Sequence, residues 1–391
     1  MAEPHAKPDS LKNQINSDTN KTYSMKKVKV ENSVGMALAH DVTRIIPGQF
    51  KGPGFKKGHI VQREDIPELI KIGKNHLYAL DVSESQLHED DAALRICDAL
   101  CRTAPAPDSD LKQSSGLNPD LNLNLNLNLN LNLKWTSPSE GKSNIIASCA
   151  GTLKINEAGL LKINEIDDVI LSTLKNNFPC QKGQTVAATR IIPLVISKTN
   201  IDELSDIAAR HHPILRIAPW KTLKIGAVVT GTEIYNGLIY DEFDEYVGKT
   251  VSQFGCHIAE KIVVPDDVSA ISQAIFTLLD HGCEMIITTG GLSVDPDDVT
   301  RNGILETKAK LISYGSPILP GAMFLYAKLN EIPIIGLPAC VYYHRATIFN
   351  IVFPRLLAGD DLTKADIDKM GHGGLCMNCE TCRYPICPFG K

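Results

Sequence analysis

The chain has 391 residues and a formal net charge of -5, which is a mild acidic balance over a length sufficient for two or three domains. Aromatic residues make up only 6% of the chain and no basic stripe occurs, so we expect no nucleic-acid partner. The first ten residues lack the apolar core of a signal peptide, and no run of about 18 apolar residues predicts a membrane span. These features predict a cytoplasmic protein.

The first 220 residues are predicted to form a disordered tail, 1–24, and a small β-rich α+β region, 25–103 and 135–220. The tail is polar and has no apolar periodicity, whereas the region after it contains short alternating and β-branched runs typical of strands. The Pro-rich stretch 212–220 is interpreted as an interdomain link. Predicted helices cover 66–72, 89–100, 165–175 and 201–209, the first with Asp65 and the last with Asn200 as N-cap.

A low-complexity insert, 104–134, interrupts the β-rich region. Residues 121–133 are a pure Leu-Asn alternation. A period of two could form a strand with one apolar face, but Asn is a poor strand former and perfect dipeptide repeats are typical of expanded inserts. We therefore predict an exposed loop whose deletion leaves folding and ligand binding intact.

From Leu223 onward, apolar strands alternate with helices. This alternation predicts an α/β domain over 221–360, with a mostly parallel sheet and helices on both faces. Ligands on such sheets bind beyond the carboxyl ends of the strands. The predicted strands are 223–229, 257–264, 284–288 and 332–336, and the predicted helices are 244–254, 265–279, 300–307 and 341–357.

Three loops at these strand ends, 230–241, 288–300 and 336–344, carry glycines, hydroxyls and carboxylates. In the central loop, TTGGLSVDPDDVT, the Gly-Gly pair lets the backbone approach a ligand, and the carboxylates suit Mg²⁺. A solvated turn that only caps the next helix explains the Asp-Pro-Asp-Asp segment about equally well. His344 and Arg345 follow the third loop and suit either an anionic ligand or a helix start.

Five spaced motifs in this part of the chain resemble the molybdenum cofactor biosynthesis domain, which molybdopterin adenylyltransferases and molybdopterin molybdotransferases share. The typical dimerisation-domain stretch Asn-Ser-Ala-Met-Asp-Gly-Tyr-Ala of molybdotransferases is absent, and Ala339-Cys340 replaces the usual Gly-Asn. The segment before the motifs resembles a molybdopterin-binding subgroup with a cysteine cluster at its end. The motifs are Thr230-Gly231-x-Glu233 with Gly237-x-Ile239-x-Asp241, Val264-Pro265-Asp266-Asp267, Thr289-Gly290-Gly291-x-Ser293-Val294-x-x-x-Asp298, Pro320-Gly321 and Gly336-Leu337-Pro338.

The resemblance implies a site for molybdopterin or its adenylylated form. It implies that the terminal phosphate lies on Gly290, Gly291 and Ser293, that Thr230 and Glu233 line the dithiolene and metal end, and that Pro338 shapes the pterin wall. Asp267 and Asp298 would hold Mg²⁺ or orient the nucleotide. The implied catalytic residues are Glu233, Asp267 and Asp298, and the implied cofactor-binding residues are Thr230, Gly231, Asp241, Thr289, Gly290, Gly291, Ser293 and Pro338.

Several functions fit this resemblance. The leading one is Mg²⁺-dependent, molybdotransferase-like metal insertion during molybdenum cofactor biosynthesis, by a homo-oligomer that could serve a molybdoenzyme. A non-catalytic carrier or chaperone of the molybdenum cofactor is one alternative. A partner-docking protein that relies on an Fe–S or Zn tail is another.

That tail, 361–391, contains Cys376, Cys379, Cys382 and Cys387, the last followed by proline. Such close spacing in a cytosolic chain indicates metal binding rather than disulfides. Four thiolates suit Zn²⁺ in a closed tetrahedral site or a [4Fe–4S] cluster. His372 is a further candidate ligand.

Overall fold

The structure is a computed structural model that describes residues 26–36, 38–46, 50–79, 85–101, 131–292 and 299–390. Its first part is a small unit in which β1 pairs with β4 and β2 with β3, all antiparallel. Apolar side chains from these elements and their connections enclose a separate small core. The elements are β1 (Lys26–Lys29), β2 (Val42–Ile46), β3 (Phe50–Phe55), α1 (Asp65–Lys71) and β4 (His76–Ala79).

Residues 85–101 and 131–219 form a second β-rich unit around one large apolar core. Its strands are β5 (Gln86–His88), β6 (Leu133–Trp135), β7 (Lys142–Ala147), β8 (Gly151–Ile155), β9 (Val169–Thr173), β10 (Pro179–Cys180), β11 (Thr185–Ile191), β12 (Val195–Ser197) and β13 (Leu215–Pro219). One sheet has the order β6-β7-β11-β9, another has the order β10-β8-β13, and β5 pairs with β12. The helices are α2 (Glu89–Cys101), α3 (Glu157–Asn164) and α4 (Lys198–Arg210).

The α/β domain contains a six-stranded sheet with the order β15-β14-β16-β19-β18-β17. The first four strands in this order are parallel and β18 is antiparallel to its neighbours, so the predicted mostly parallel sheet is confirmed. The strands are β14 (Lys224–Thr230), β15 (His257–Val264), β16 (Met285–Thr289), β17 (Lys310–Tyr314), β18 (Leu325–Leu329) and β19 (Ile332–Leu337). The helices are α5 (Thr232–Tyr235), α6 (Lys249–Gln253), α7 (Val268–Asp280), α8 (Thr300–Glu306), α9 (Ile348–Leu357) and α10 (Lys364–Lys369).

Helices cover both faces of this sheet, as predicted. Successive strand residues point to opposite faces, and the buried side chains divide accordingly into two cores. Val229 and Ile287 pack with Phe353 of α9, whereas Val228 and Ile286 pack with Ile275 of α7. Among the described residues, no helix has the length and apolar character needed to cross a bilayer.

The cysteine-containing segment packs onto the α/β domain. Pro354 has no N–H, so the Asn350 carbonyl one turn earlier in α9 loses its helical donor. The Tyr384 hydroxyl donates to that carbonyl at 2.9 Å. From the β-rich unit, Lys175 Nζ donates to the carbonyls of Phe389 and Gly390. The segment therefore contacts both larger parts of the fold.

The end of the predicted insert belongs to the core, which corrects its boundary. Leu131 and Leu133 are 3% and 0% exposed, and β6 pairs with β7. The Leu-Asn alternation thus ends at a real strand, and both Leu133 of β6 and Leu131 just before it are buried, because a period of two suits a segment with one buried face. Residues 102–130 lie outside the described residues, as does the tail 1–24.

The predicted helix 165–175 is wrong. The helix lies earlier, as α3, with the Asn156 side chain accepting a hydrogen bond from Gly159 N. Residues 169–173 form β9 instead, because their β-branched side chains alternate between buried and exposed positions. The proposed interdomain link 212–220 is also wrong, since residues 215–219 form β13, which pairs with β8.

Three helix starts also differ from the sequence expectations. Asp65 is the first residue of α1, not its N-cap. Ser197 caps α4, and the Asn200 side chain donates to the Asp167 carbonyl instead. The predicted helix 341–357 begins only at Ile348, where Thr347 forms a capping box.

Candidate functional site

The carboxyl ends of the parallel strands are level with one another. Thr230 pairs with Val264 across β14 and β15, and Thr289 pairs with Val229 on one side and with Leu337 on the other. The loops that follow these strands therefore leave the sheet side by side. This register brings Thr230, Gly231, Thr289, Gly290, Gly291 and Pro338 to one edge, as the sequence predicted.

Thr230 joins three elements at this edge. Its side chain is buried, and its Oγ1 donates to the Thr289 carbonyl at 3.1 Å. The same oxygen lies 2.9 Å from Oγ1 of Thr300, the first residue of α8. Thr300, which the sequence indicated only as a helix start, is thus part of the site's framework.

The Gly-Gly pair is required by close backbone approach. Gly290 and Gly291 have φ angles of +88° and +54°, which favour glycine. A Cβ at Gly290 would lie 2.2 Å from the Thr230 carbonyl oxygen, and one at Gly291 would lie 2.5 Å from Thr300 Oγ1. Because glycine has no side chain, the end of β16 packs closely against the end of β14 and against the start of α8.

Thr289 carries a buried hydroxyl with an unmet hydrogen-bonding requirement. The residue is 0% exposed, and its Oγ1 makes no hydrogen bond of acceptable geometry with any described residue. The Tyr342 phenol is a polar neighbour: burial raises its pKa, and the Thr289 hydroxyl opposes that rise. Leaving a buried hydroxyl unpaired costs about 1–3 kcal/mol, so such a group is suited to meeting a ligand.

Two of the predicted catalytic carboxylates lie at this edge. Glu233 is exposed on α5, and its Oε2 lies 3.8 Å from the Cβ position of Gly231. Asp267 is exposed and is the N-cap of α7, where its Oδ1 accepts a hydrogen bond from Ala270 N at 2.8 Å. Asp267 therefore has a structural task in addition to any contact with a ligand.

Other carboxylates fix the surrounding loops. Asp266, to which the resemblance assigns no role, accepts hydrogen bonds from both the N–H and the hydroxyl of Thr232. Asp241 accepts from Phe243 N and forms an ion pair with Lys261 at 2.7 Å. These contacts tie the loop after β14 to β15, so Asp241 acts here as a loop anchor.

Ser293 and Asp298 lie outside the described residues, together with Asp295 and Asp297. Within the described ranges, no three His, Cys, Asp or Glu side chains are grouped as metal ligands. Mg²⁺ bound with phosphates needs only one or two carboxylates. Asp267, with one oxygen used by the cap, is compatible with that requirement.

The third loop positions Pro338 at the start of a one-turn 3₁₀ helix, Ala339–Tyr342. His344 and Arg345 are exposed and lie between this turn and α9, so the helix-start alternative is wrong for both.

The cysteines of the tail do not converge on one point. Cys376 and Cys387 are half-buried against the core, whereas Cys379 and Cys382 are exposed, like the candidate ligand His372. All five residues are described, and none belongs to a group of three potential metal ligands. A closed site would require this segment to rearrange.

The α/β domain belongs to a recognised class. Residues 226–358 match a family model described as a probable molybdopterin binding domain, which confirms the resemblance for this part of the chain. This part of the chain is therefore similar to molybdopterin binding domains. Residues 27–81 match a second model, described as a domain of unknown function.

Relatives of the chain match over part of its length. A CinA-like protein of Amoebophilus asiaticus is 31% identical over 117 residues, which are 30% of this chain and 26% of that protein. A molybdopterin molybdenumtransferase of Haemophilus influenzae is 26% identical over 148 residues, 36% of each chain. A molybdopterin adenylyltransferase of Pyrococcus furiosus is 30% identical over 95 residues, 24% of this chain and 56% of that protein. The chain thus spans about a quarter to just over half of the length of these relatives.

Proposed function

We propose that the edge formed by the ends of β14, β16 and β19 binds molybdopterin or its adenylylated form, and that the protein acts in molybdenum cofactor biosynthesis. The observation that carries this proposal is the fully buried Thr289 hydroxyl next to the Gly290–Gly291 turn, which makes no hydrogen bond of acceptable geometry within the described part of the chain. A hydroxyl and closely approaching backbone are what a phosphate requires. The family match over residues 226–358 supports the choice of ligand.

In this proposal Gly290, Gly291 and Ser293 contact the phosphate, and Pro338 contacts the pterin. Glu233 and Thr230 face the dithiolene end. The Thr230 hydroxyl already donates to the Thr289 carbonyl, so Thr230 contributes to this end through its position. Asp267 and Asp298 orient the nucleotide or hold Mg²⁺. Such a site would act through positioning and electrostatics.

Thr289→Val tests the binding site. Valine keeps the shape of threonine and removes an unpaired hydroxyl, so folding should be unaffected while affinity for molybdopterin falls about tenfold. Isothermal titration of the full chain measures this loss. Thr288→Val, one residue earlier in β16 and equally buried, removes a hydroxyl that donates to the Ile335 carbonyl at 3.4 Å, and this control should bind as the unmodified chain does. Absence of molybdopterin binding by the unmodified chain would refute the proposal.

The variant Asp267→Asn distinguishes a molybdotransferase-like enzyme from a non-catalytic carrier or chaperone. Asparagine caps helices as well as aspartate does, so the variant removes the charge and keeps the α7 cap. A molybdotransferase-like enzyme should convert adenylylated molybdopterin to molybdenum cofactor with Mg²⁺ and lose that turnover in the variant. A carrier or chaperone should bind without turnover, and the variant should change nothing but affinity.

For the tail we propose a metal site formed by Cys376, Cys379, Cys382 and Cys387. Their spacing supports either Zn²⁺ or a [4Fe–4S] cluster. In this arrangement the segment serves to dock a partner, for example a molybdoenzyme, onto a homo-oligomer of the chain.

A further inference from the structure

A cavity of about 1220 Å³ lies between the β-rich unit and the end of the α/β domain. Lys221, just before β14, donates its N–H to the Leu357 carbonyl at the end of α9. This contact places the end of α9 at the amino edge of the sheet, opposite the strand-end site. Residues from β8, β13, α9 and the tail line the cavity, including Lys154, Arg216, Arg355 and Tyr384.

Basic side chains outnumber available carboxylates on one wall of this cavity. Lys154 Nζ and Arg355 Nε both contact the same Asp360 oxygen, at 2.5 and 2.9 Å. Arg216 is half-buried beside them, and its side chain makes no hydrogen bond or ion pair with any residue in the described part of the chain. Two cations therefore share one carboxylate, and the third has no carboxylate partner.

The remaining carboxylates that line the cavity already have partners. Asp361 pairs with Lys328 at 2.5 Å. Asp366 accepts hydrogen bonds from Thr363 at the start of α10. Glu157 accepts one from the Asn176 side chain at 3.0 Å. None of these bonds involves Arg216, so these carboxylates do not pair with its charge.

Burial also changes the pKa of a lysine in this cluster. Desolvation lowers the pKa of Lys154, and the nearby Arg355 and Arg216 lower it further, against the opposing effect of Asp360. An added anion would stabilise all three cations at once. Guanidinium groups bind phosphate oxygens through paired, planar hydrogen bonds.

We infer that this cavity binds a small phosphate-bearing molecule, whose phosphate contacts Arg216 and Arg355. The volume exceeds that of a single phosphate and is larger than the roughly 300–1,000 Å³ of most small-molecule sites, so the cavity has room for more than the phosphate. The Tyr384 ring, Ile351 and Met370 line the same cavity and offer apolar surface for the remainder of the ligand. This site is independent of the molybdopterin site proposed above.

Titration calorimetry of the full chain with pyrophosphate and, separately, with ATP tests the inference. Arg216→Gln should weaken binding of the better probe at least tenfold, because a charged hydrogen bond to phosphate is lost. Arg95→Gln, an exposed arginine on α2 outside the cavity, should bind as the unmodified chain does. Thermal unfolding of each variant verifies its fold, and Arg216→Lys should recover part of the affinity.

The two probes distinguish the kinds of ligand. Equal affinity for both indicates a site for the anionic group alone, and clearly tighter ATP binding indicates a nucleotide site. Failure of the unmodified chain to bind either probe would overturn the inference, as would full affinity in Arg216→Gln. Loss of the signal in Thr289→Val would assign it to the strand-end site and overturn the inference as well.

Discussion

The position that a β-carbon would take on Gly290 lies 2.2 Å from the carbonyl oxygen of Thr230, closer than any side chain tolerates. The ends of β14 and β16 are therefore in direct backbone contact at this point. The buried Thr230 hydroxyl, bonded to the Thr289 carbonyl, completes the junction. The framework of the candidate site is thus a packed strand junction rather than an open loop.

Gly290→Ala should disrupt this junction. The substitution imposes a positive φ on alanine, at about 1–2 kcal/mol, and a clash with backbone, at about 1–3 kcal/mol more. Gly255→Ala is the matched control, because Gly255 has a similar φ of +76° and nothing within 4 Å of its Cβ position. Both variants carry the cost of the positive φ, so urea unfolding should give a free energy of unfolding about 1–3 kcal/mol lower for Gly290→Ala than for Gly255→Ala. Equal losses would show that the junction relaxes.

The corrected insert boundary leads to a paired deletion experiment. Removing 104–130 with a short linker should leave a folded protein, because the buried leucines described at the end of the insert, Leu131 and Leu133, are retained. Removing 104–134 should prevent folding, since it takes away most of β6 and two buried leucines, each contributing about 2–5 kcal/mol. Circular dichroism and thermal unfolding distinguish the two. A stable longer deletion would show that β6 is dispensable.

Glu89 should make stability fall as pH rises. Burial, with help from Asp90 and Glu140, raises its pKa to about 7, although Arg190 and Lys57 oppose the shift. The folded state therefore holds a proton that the unfolded state releases from about pH 4.5 upward. The stabilising contribution is complete below pH 4.5 and lost by about pH 7, and it amounts to roughly 2–3 kcal/mol.

Urea unfolding at pH 5 and pH 8 measures this effect in the unmodified chain and in Glu89→Gln. Glutamine cannot ionise, so the variant should lose less stability between the two pH values. The same pH dependence in both proteins would contradict the assignment of the proton to Glu89.

Metal content tests the cysteine segment directly. Emission spectroscopy of the anaerobically purified chain should find either one zinc or four irons per chain, the iron form absorbing near 400 nm. Cys382→Ser should lose the metal. Cys149→Ser, a half-buried cysteine outside the segment, should retain it. Metal-free protein, or equal content in both variants, would exclude the proposed site.

Periodicity in the sequence was sufficient to predict the parallel strands and most helices of the α/β domain. The runs around Val228, Ile286 and Ile335 are apolar on both faces and are separated by helical segments. The antiparallel strands β17 and β18 were not predicted. Lys310 and Lys328 are charged residues near the edge of the sheet, and they obscure the apolar pattern.

The candidate site was predictable where glycine spacing reflects backbone geometry, as at Gly290. It was not predictable where the role depends on tertiary contacts. The bond between Thr230 and Thr300 joins residues 70 positions apart, and the unpaired Thr289 hydroxyl depends on everything packed around it. The prediction of a helix over 165–175 failed for the same reason, because the strand at 169–173 is stabilised by pairing with β11.

The bond between the Tyr384 hydroxyl and the Asn350 carbonyl has a consequence for evolution. Proline at 354 creates the orphan carbonyl, and tyrosine at 384 satisfies it, so each residue loses much of its advantage without the other. The two positions should covary: homologues with an ordinary residue at 354 are free to carry phenylalanine or leucine at 384. A helix proline and a distant tyrosine would thereby be inherited as a pair.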